Sequence, residues 1–214
     1  MNGILQTFLL ITINVSLITV NSDKYSAHSA LIKKQNRIKY TVANKTEDSI
    51  ALTAFVRQVY KWHNKEITTD EGFEPKKRHS RDTFYTGRDF EAINFMINKL
   101  RRSGFFDETF LINYRNIALR MDKELKTGKV SWREGDLPPF NEDADPWCKC
   151  KGNPGNYWIK ILLADVKFNK DGAVFKWTWG NNFYYNAKAR RENGNWKITY
   201  LEGFDFNHYH WANH

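Results

Sequence analysis

Residues 157–204 read YWIKILLADVKFNKDGAVFKWTWGNNFYYNAKARRENGNWKITYLEGF, and this stretch decides the fold. Apolar and polar side chains alternate along most of it, and the short turns NKDG, GNN and ENGN separate the alternating segments. Alternation with a period of two is typical of strands, and tight turns of Asn, Asp and Gly join antiparallel neighbours. The stretch therefore predicts a four-stranded antiparallel meander.

The last three predicted strands have one aromatic face and one polar, mostly cationic face. The predicted buried face holds Phe175, Trp177, Trp179, Phe183, Tyr185, Ala187, Ala189, Trp196, Ile198 and Tyr200. The predicted exposed face holds Lys176, Thr178, Asn186, Lys188, Arg190, Lys197 and Thr199. The first strand is apolar on both faces, which predicts a central position or a cover formed by the N-terminal region.

Upstream of the meander the apolar period changes to that of helices. The spacing predicts helices over residues 49–64, 88–102 and 108–126, the last one capped by Asp107. Residues 64–87 form a polar insert with the basic run PKKRHSR, which is either a solvated loop or a binding loop. Residues 129–156 are a connector rich in Pro, Gly and acids. The fold class is α+β, with three N-terminal helices packed on a curved four-stranded sheet.

Four segments carry a resemblance to a known family: FVRQVYKWHNK from Phe55, DETFLINYRNIALRM from Asp107, DADPW from Asp143 and GNWKITYLEGF from Gly194. Over about residues 49–206 the chain resembles a family of uncharacterised exported bacterial proteins with the cystatin-like, nuclear-transport-factor-2-like fold. The resemblance implies an α+β roll. That superfamily includes dehydratases, isomerases and non-catalytic binding domains, and some small exported relatives act as inhibitors or immunity proteins. The resemblance implies no catalytic residues for this chain.

The first 22 residues read as a secretory signal peptide. They contain no Lys, Arg, Asp or Glu, and Val20 and Ser22 stand at the −3 and −1 places of a small-residue cleavage site. The alternative is a retained anchor, but the stretch is short and interrupted by polar residues. We expect a periplasmic or secreted protein with a flexible arm over residues 23–48, one domain over residues 49–206 and a tail over residues 207–214, without a stable membrane span after cleavage.

The formal net charge of the 214 residues is +9, and all of it lies after the predicted cleavage site. For an exported protein this charge favours an acidic protein or an anionic envelope component as the partner, rather than a nucleic acid. The alternative is that the basic surface only keeps the protein soluble.

Cys148 and Cys150, in DADPWCKCKGNPGN, are the only cysteines. In an exported protein they are candidates for a local disulfide. A redox role is the alternative, because Lys149 and Lys151 could lower a thiol pKa. A metal site would need further ligands, for which the weak candidates are His208, His210 and His214. No cofactor is predicted.

A catalytic interpretation needs a proton-transfer group inside the roll. The weak candidates are Asp165 and Asp145 as buried carboxylates, with Tyr114, Tyr185 and Tyr200 as hydrogen-bond donors. The alternative for Asp165 is a pairing with Lys167 or Lys176. The chain contains no phosphate loop, nucleophile elbow or zinc-protease motif.

The leading prediction is a non-catalytic exported binding module, of which an inhibitor or an immunity protein would be one form. Its contact surface would be the cationic sheet face, with Lys176, Lys188, Arg190 and Lys197, or the PKKRHSR loop. Trp147 and Trp158, on either side of the cysteines, could line the rim of a pocket, although core packing is the alternative for both. The competing predictions are a small-molecule or enzymatic site in the roll and an envelope-attached structural protein.

Overall fold

The computed structural model describes residues 47–67, 73–136, 144–152, 155–180 and 183–207. The predicted signal peptide, residues 1–22, lies outside the described residues, as do residues 23–46 of the predicted arm and residues 208–214 of the predicted tail. All of the described residues belong to one compact unit. Within the described part of that unit, three α-helices come before a four-stranded antiparallel sheet, so the predicted α+β class is confirmed.

The helices are α1 over residues 47–66, α2 over Phe90–Ser103 and α3 over Glu108–Lys126. Asp89 and Asp107 cap α2 and α3, because their carboxylates accept hydrogen bonds from backbone N–H groups of the first turn. Gly104 ends α2 in the left-handed region, with a φ of 74°. The α3 bounds are those predicted from the sequence. No described helix is long and apolar enough to cross a membrane.

A small two-stranded sheet lies in the predicted insert. Its strands are β1, Pro75–Lys76, and β2, Gly87–Arg88, and they pair antiparallel. The chain between them is held from one side, because Phe84 pairs with Arg133 of the connector. The described part of the insert is therefore a hairpin anchored to the domain.

The main sheet has the order β3-β4-β5-β6. The strands are β3 over Leu162–Phe168, β4 over Gly172–Thr178, β5 over Tyr185–Glu192 and β6 over Asn195–Leu201. A 3-10 turn, Tyr157–Lys160, precedes β3, where the sequence predicted strand. Next to β6, the N–H of Asp107 donates to the carbonyl of Ile198 at 3.0 Å, so the entry to α3 continues the sheet.

The predicted central position of β3 is wrong, because β3 forms the edge of the sheet. Its apolar residues divide between the faces: Leu163 pairs with the inward Trp177, whereas Leu162 pairs with Thr178 and is 59% exposed. A bulge between Ala164 and Lys167 interrupts the pairing. A bulge and charged residues are common on edge strands, where they oppose pairing with other chains.

The core lies between the helices and the inner face of the sheet. One connected cluster of buried residues includes Leu52, Val56, Val59 and Tyr60 of α1, Ile93, Ile97 and Leu100 of α2, and Phe110, Tyr114, Ile117 and Ala118 of α3. From the sheet the same cluster includes Phe175, Trp177, Tyr185, Ala187, Ala189, Trp196, Ile198 and Leu201. Burial of large aromatic side chains dominates the energetics of such a core.

Candidate functional site

The loop 144–150 is pinned to the core by two tyrosines. The hydroxyl of Tyr60 donates to the carbonyl of Trp147 at 2.9 Å, and the hydroxyl of Tyr185 donates to the carbonyl of Pro146 at 2.7 Å. The N–H of Gly203 donates in turn to the Tyr185 hydroxyl at 2.8 Å. Burial raises the pKa of both tyrosines well above the usual value, so both remain protonated donors. The loop therefore belongs to the packed interior and is not a loose connector.

Trp147 is part of the core, not of a pocket rim. It is 1% exposed, and its ring lies 4.2 Å from that of His63 and 5.1 Å from that of Phe204. A partner cannot reach it in this structure, so its predicted binding role is wrong. Trp158 is half-buried, with its ring edge-on to Tyr157.

Cys148 and Cys150 form a disulfide. The ammonium of Lys149 lies 3.3 Å from the carboxylate of Glu202 and is held there. A carboxylate oxygen of Asp145 lies within 4.8 Å of both sulfurs. A carboxylate at that distance disfavours a thiolate, so these surroundings favour a structural bridge over a redox-active one.

The two cysteines cannot serve as thiolate ligands of a metal at this place while they form the disulfide. Asp145, Cys148 and Cys150 bring their ligand atoms together, but both sulfurs are used in the disulfide. His208, His210 and His214, the proposed further ligands, lie outside the described residues.

Glu202 joins the disulfide loop to the sheet. It accepts hydrogen bonds from the backbone N–H and the side-chain amide of Asn186, and it pairs with Lys149. Burial by itself raises the pKa of this carboxyl, but the donors from Asn186 and Lys149 outweigh burial and lower it. Glu202 therefore stays ionised, and it balances positive charge at this end of the sheet.

The outer face is the side of the main sheet that points away from the core. It carries Leu162, Ala164 and Lys167 of β3, Val174, Lys176 and Thr178 of β4, Asn186, Lys188 and Arg190 of β5, and Lys197 and Tyr200 of β6. Most of the predicted polar face is found here. The face also includes Tyr200, which the sequence placed on the buried face, and Lys167, for which the sequence predicted no face.

Tyr200 was predicted to face the core, and that prediction is wrong. Ala189 pairs with Ile198 while Lys188 pairs with Tyr200, so Thr199 is an extra residue that forms a bulge. An extra residue reverses the alternation, and Tyr200 turns outward. The Lys188 ammonium lies 5.0 Å from the centre of its ring, and its hydroxyl donates to Asp205 at 3.0 Å. Partial burial and Asp205 raise its pKa, so it is a neutral phenol on this face.

Two of the four predicted binding cations are neutralised. Lys176 lies 2.9 Å from the carboxylate of Asp165, and this contact lowers the pKa of Asp165. Arg190 lies 3.0 Å from a carboxylate oxygen of Asp107, the cap of α3, whose side chain is fully buried. The guanidinium of Arg190 therefore compensates a buried charge and has a structural role.

The lysine cluster is defined as Lys167, Lys188 and Lys197 of the outer face. Lys167 interacts electrostatically with the carboxylate of Asp165, but that carboxylate is paired with Lys176. Among the described residues, none of the three forms an ion pair. Lys167 and Lys188 flank Val174 in one row across three strands, roughly 10 Å apart at the backbone. Val174 is 42% exposed, so the cluster surrounds an apolar spot.

The catalytic candidates do not come together in the core between the helices and the sheet. Asp165 has a left-handed φ of 51° in the β3 bulge and is 65% exposed, so the prediction of a buried carboxylate there is wrong. Asp145 is half-buried and accepts from the N–H of Trp147 at 2.8 Å, which gives it a turn-forming role. Tyr114 and Tyr185 are buried in the core, whereas Tyr200 lies on the opposite face of the sheet.

Other buried polar residues were missed by the sequence reasoning. Among the described residues, those missed are His63, Arg88, Asp122 and Glu124; the fifth buried polar residue, Asp107, had been predicted as a cap. Asp122 accepts from the N–H of Arg88 at 3.0 Å and pairs with Lys126, and Glu124 lies 3.0 Å from Lys129. These contacts give the two carboxylates structural partners. The i, i+4 spacings of Asp122 with Lys126 and of Arg120 with Glu124 were the signals that could have found both of them.

Comparison of the chain with protein-family models, with curated proteins and with solved structures finds no match.

Proposed function

We propose that this protein is a non-catalytic binding module whose outer face docks an acidic protein. The observation that carries the proposal is the lysine cluster, where Lys167, Lys188 and Lys197 form no ion pair with the described residues. Unpaired cations on one side of a sheet attract a carboxylate-bearing surface and steer its approach. The exposed Val174 between two of the lysines offers an apolar contact at the centre.

The alternative of an enzymatic roll has less support. The ring of Trp177 lies 4.5 Å from that of Tyr60 and 5.3 Å from that of Tyr185, so aromatic side chains fill this part of the inner layer. The buried carboxylates of Asp107, Asp122 and Glu124 have cationic or backbone partners. A structural ion pair explains such groups without chemistry.

We further infer that the fold is a cystatin-like, nuclear-transport-factor-2-like roll and that the protein is exported to the periplasm or beyond. The roll is supported by helices that precede an antiparallel meander and by the contact of α3 with β6. Export is supported by the Cys148–Cys150 disulfide, because disulfides persist in oxidising compartments. An inhibitor or immunity role would be one form of such binding.

The test is affinity capture with matched charge reversals. The chain is immobilised and exposed to an envelope extract of its source cells, after fractionation has established that it resides there. The test variant is Lys167→Glu/Lys188→Glu/Lys197→Glu. The control variant is Lys61→Glu/Arg102→Glu/Lys123→Glu, which makes the same charge change at exposed helix positions.

We expect one stoichiometric acidic protein to be retained by the wild type and by the control variant. Its affinity for the test variant should fall by about tenfold or more, because several favourable charge contacts become repulsive. An equal loss of affinity in both variants would mean that net charge alone explains the binding. Unchanged affinity of the test variant would exclude the lysine cluster as the interface. Retention of an anionic polymer without a protein would replace the proposed partner class.

A further inference from the structure

The tip of the β1–β2 hairpin is basic and exposed. It spans residues 78–82 and reads RHSRD, and it follows Lys76 and Lys77. The side chains of Arg78, His79, Ser80 and Arg81 are all exposed. The tip closes on itself through two hydrogen bonds, from the N–H of His79 to Asp82 at 2.8 Å and from the N–H of Asp82 to His79 at 3.1 Å. Few contacts within the tip therefore have to break before it can open.

The chain on both sides of the tip is held firmly. On the incoming side, Lys77 lies 2.6 Å from the carboxylate of Glu134. On the outgoing side, the N–H of Glu134 donates to the carbonyl of Thr83 at 2.8 Å, and the N–H of Tyr85 donates to the carbonyl of Trp132 at 2.9 Å. The opening is thus confined to the tip.

We propose that the Arg78–His79 peptide bond is a processing site for a protease that cleaves after basic residues. Such proteases hold the side chain before the scissile bond in a pocket with an acidic residue at its base. The reaction is hydrolysis: the C–N bond of Arg78–His79 breaks, water supplies OH to the carbonyl carbon of Arg78, and hydrogen goes to the nitrogen of His79. The product is a two-chain form of the domain.

Charge favours Arg78 over Arg81. Three consecutive basic residues end at Arg78, whereas Arg81 is followed directly by Asp82. The Asp82 carboxylate stays next to the Arg81–Asp82 bond in any extended chain and weakens the attraction to an acidic pocket. Its hydrogen bond to the N–H of His79, at the Arg78–His79 bond, is lost when the tip opens. Basic residues in the helices are protected in another way. Arg101 and Arg102 lie in the last turn of α2, which must unwind before a protease can bind it as an extended strand.

The two pieces should stay together after the cut. The first piece keeps α1, whose Leu52, Val56, Val59 and Tyr60 are buried in the core. It also keeps β1 paired with β2, and the carbonyl of Phe73 accepts a hydrogen bond from the buried Arg88 of the second piece. These contacts lie outside the tip and do not depend on the Arg78–His79 bond.

The experiment is limited proteolysis of the purified full-length protein with trypsin under native conditions, followed by intact-mass analysis at early times. We expect the Arg78–His79 bond to be cut about tenfold faster than any bond within α2, α3 or the main sheet, because loop tips open at low free energy. The nicked protein should elute from a sizing column at the position of the intact protein and separate into two pieces in denaturant.

Two variants sharpen the result. Arg78→Gln should abolish this cut and leave the circular dichroism spectrum unchanged, since Arg78 is exposed. Arg133→Gln, a change of an exposed arginine on the neighbouring segment, should leave the rate of this cleavage unchanged.

The proposal would be overturned if trypsin first cut inside the helices or the sheet while the Arg78–His79 bond stayed intact. A stable one-to-one complex with uncut trypsin would overturn it as well, because the tip would then be an inhibitory loop. Separation of the pieces without denaturant would overturn the two-chain product.

Discussion

The two faces of the main sheet come from the same four strands, yet they differ in how completely their side chains are satisfied. On the inner face, the ring of Trp177 contacts those of Tyr60, Trp179, Phe183 and Tyr185 at 4.5 to 5.3 Å. The inner face is therefore filled by side chains of the described residues, whereas the lysine cluster on the outer face forms no ion pair with them.

The largest expected effect is the difference in stability between alanine variants of two neighbouring residues in β4, Trp177 and Lys176. Trp177→Ala removes a fully buried ring and should lower the free energy of unfolding by about 3–5 kcal/mol, through lost burial and a cavity. Lys176→Ala, one residue earlier and on the outer face, should cause a much smaller change. Urea unfolding followed by tryptophan fluorescence and circular dichroism measures both. Similar losses for the two variants would contradict the division between the faces.

The next largest effect is the pH dependence of the free energy of unfolding that is caused by the buried His63. Burial lowers the pKa of His63 to about 3, well below the value of roughly 6.5 expected in the unfolded chain. The unfolded chain therefore binds a proton first, so stability is intact above about pH 6.5 and is lost as the pH falls toward 3. Between pH 7.5 and 4.5 this histidine should account for about 2–3 kcal/mol of the loss.

The control for this effect is His63→Phe, which keeps a ring against Trp147 and removes the titration. Urea unfolding at the two pH values should then show a loss of stability smaller by that amount. An unchanged difference between the two pH values would mean that His63 does not titrate as its burial implies.

The smallest effect tests the β6 bulge with two tyrosines. Tyr185→Phe removes the donor to Pro146 and the acceptor for Gly203 inside the core, and it should destabilise the protein by about 1–3 kcal/mol. Tyr200→Phe removes one half-buried hydrogen bond to Asp205 and should destabilise it by at most about 1 kcal/mol. Thermal unfolding of both variants decides the order. If Tyr200→Phe were the more harmful change, the outward position of Tyr200 would be contradicted.

Much of the fold could be predicted because it depends on local signals. The α3 bounds follow from the Asp107 cap and the apolar stripe, and the strands follow from alternation and from turns such as ENGN. The direction of a side chain could not be predicted where one residue interrupts a period. Thr199 reverses the direction of Tyr200, and the β3 bulge sets the direction of Lys167, for which the sequence predicted no face. Strict alternation does not reveal a single inserted residue.

The candidate site was predicted in part. The sequence placed Lys176, Lys188, Arg190 and Lys197 on one face, and the pairing of the strands places them there as well. It could not distinguish the paired cations from the unpaired ones. The partner of Arg190 is Asp107, which lies 83 positions earlier in the chain. Trp147 was equally ambiguous, since the rings that bury it come from distant segments.

The sequence by itself determined the α+β class, the helices, the meander and the polar character of one sheet face, because these depend on residues near each other in the chain. Only the tertiary structure decided which charges are compensated, which strand forms the edge and which tryptophan is covered. Ion pairs such as Arg190–Asp107 and hydrogen bonds such as Tyr60–Trp147 join residues far apart in sequence. A period of two or 3.6 carries no information about such contacts, since they arise only when separate elements pack together.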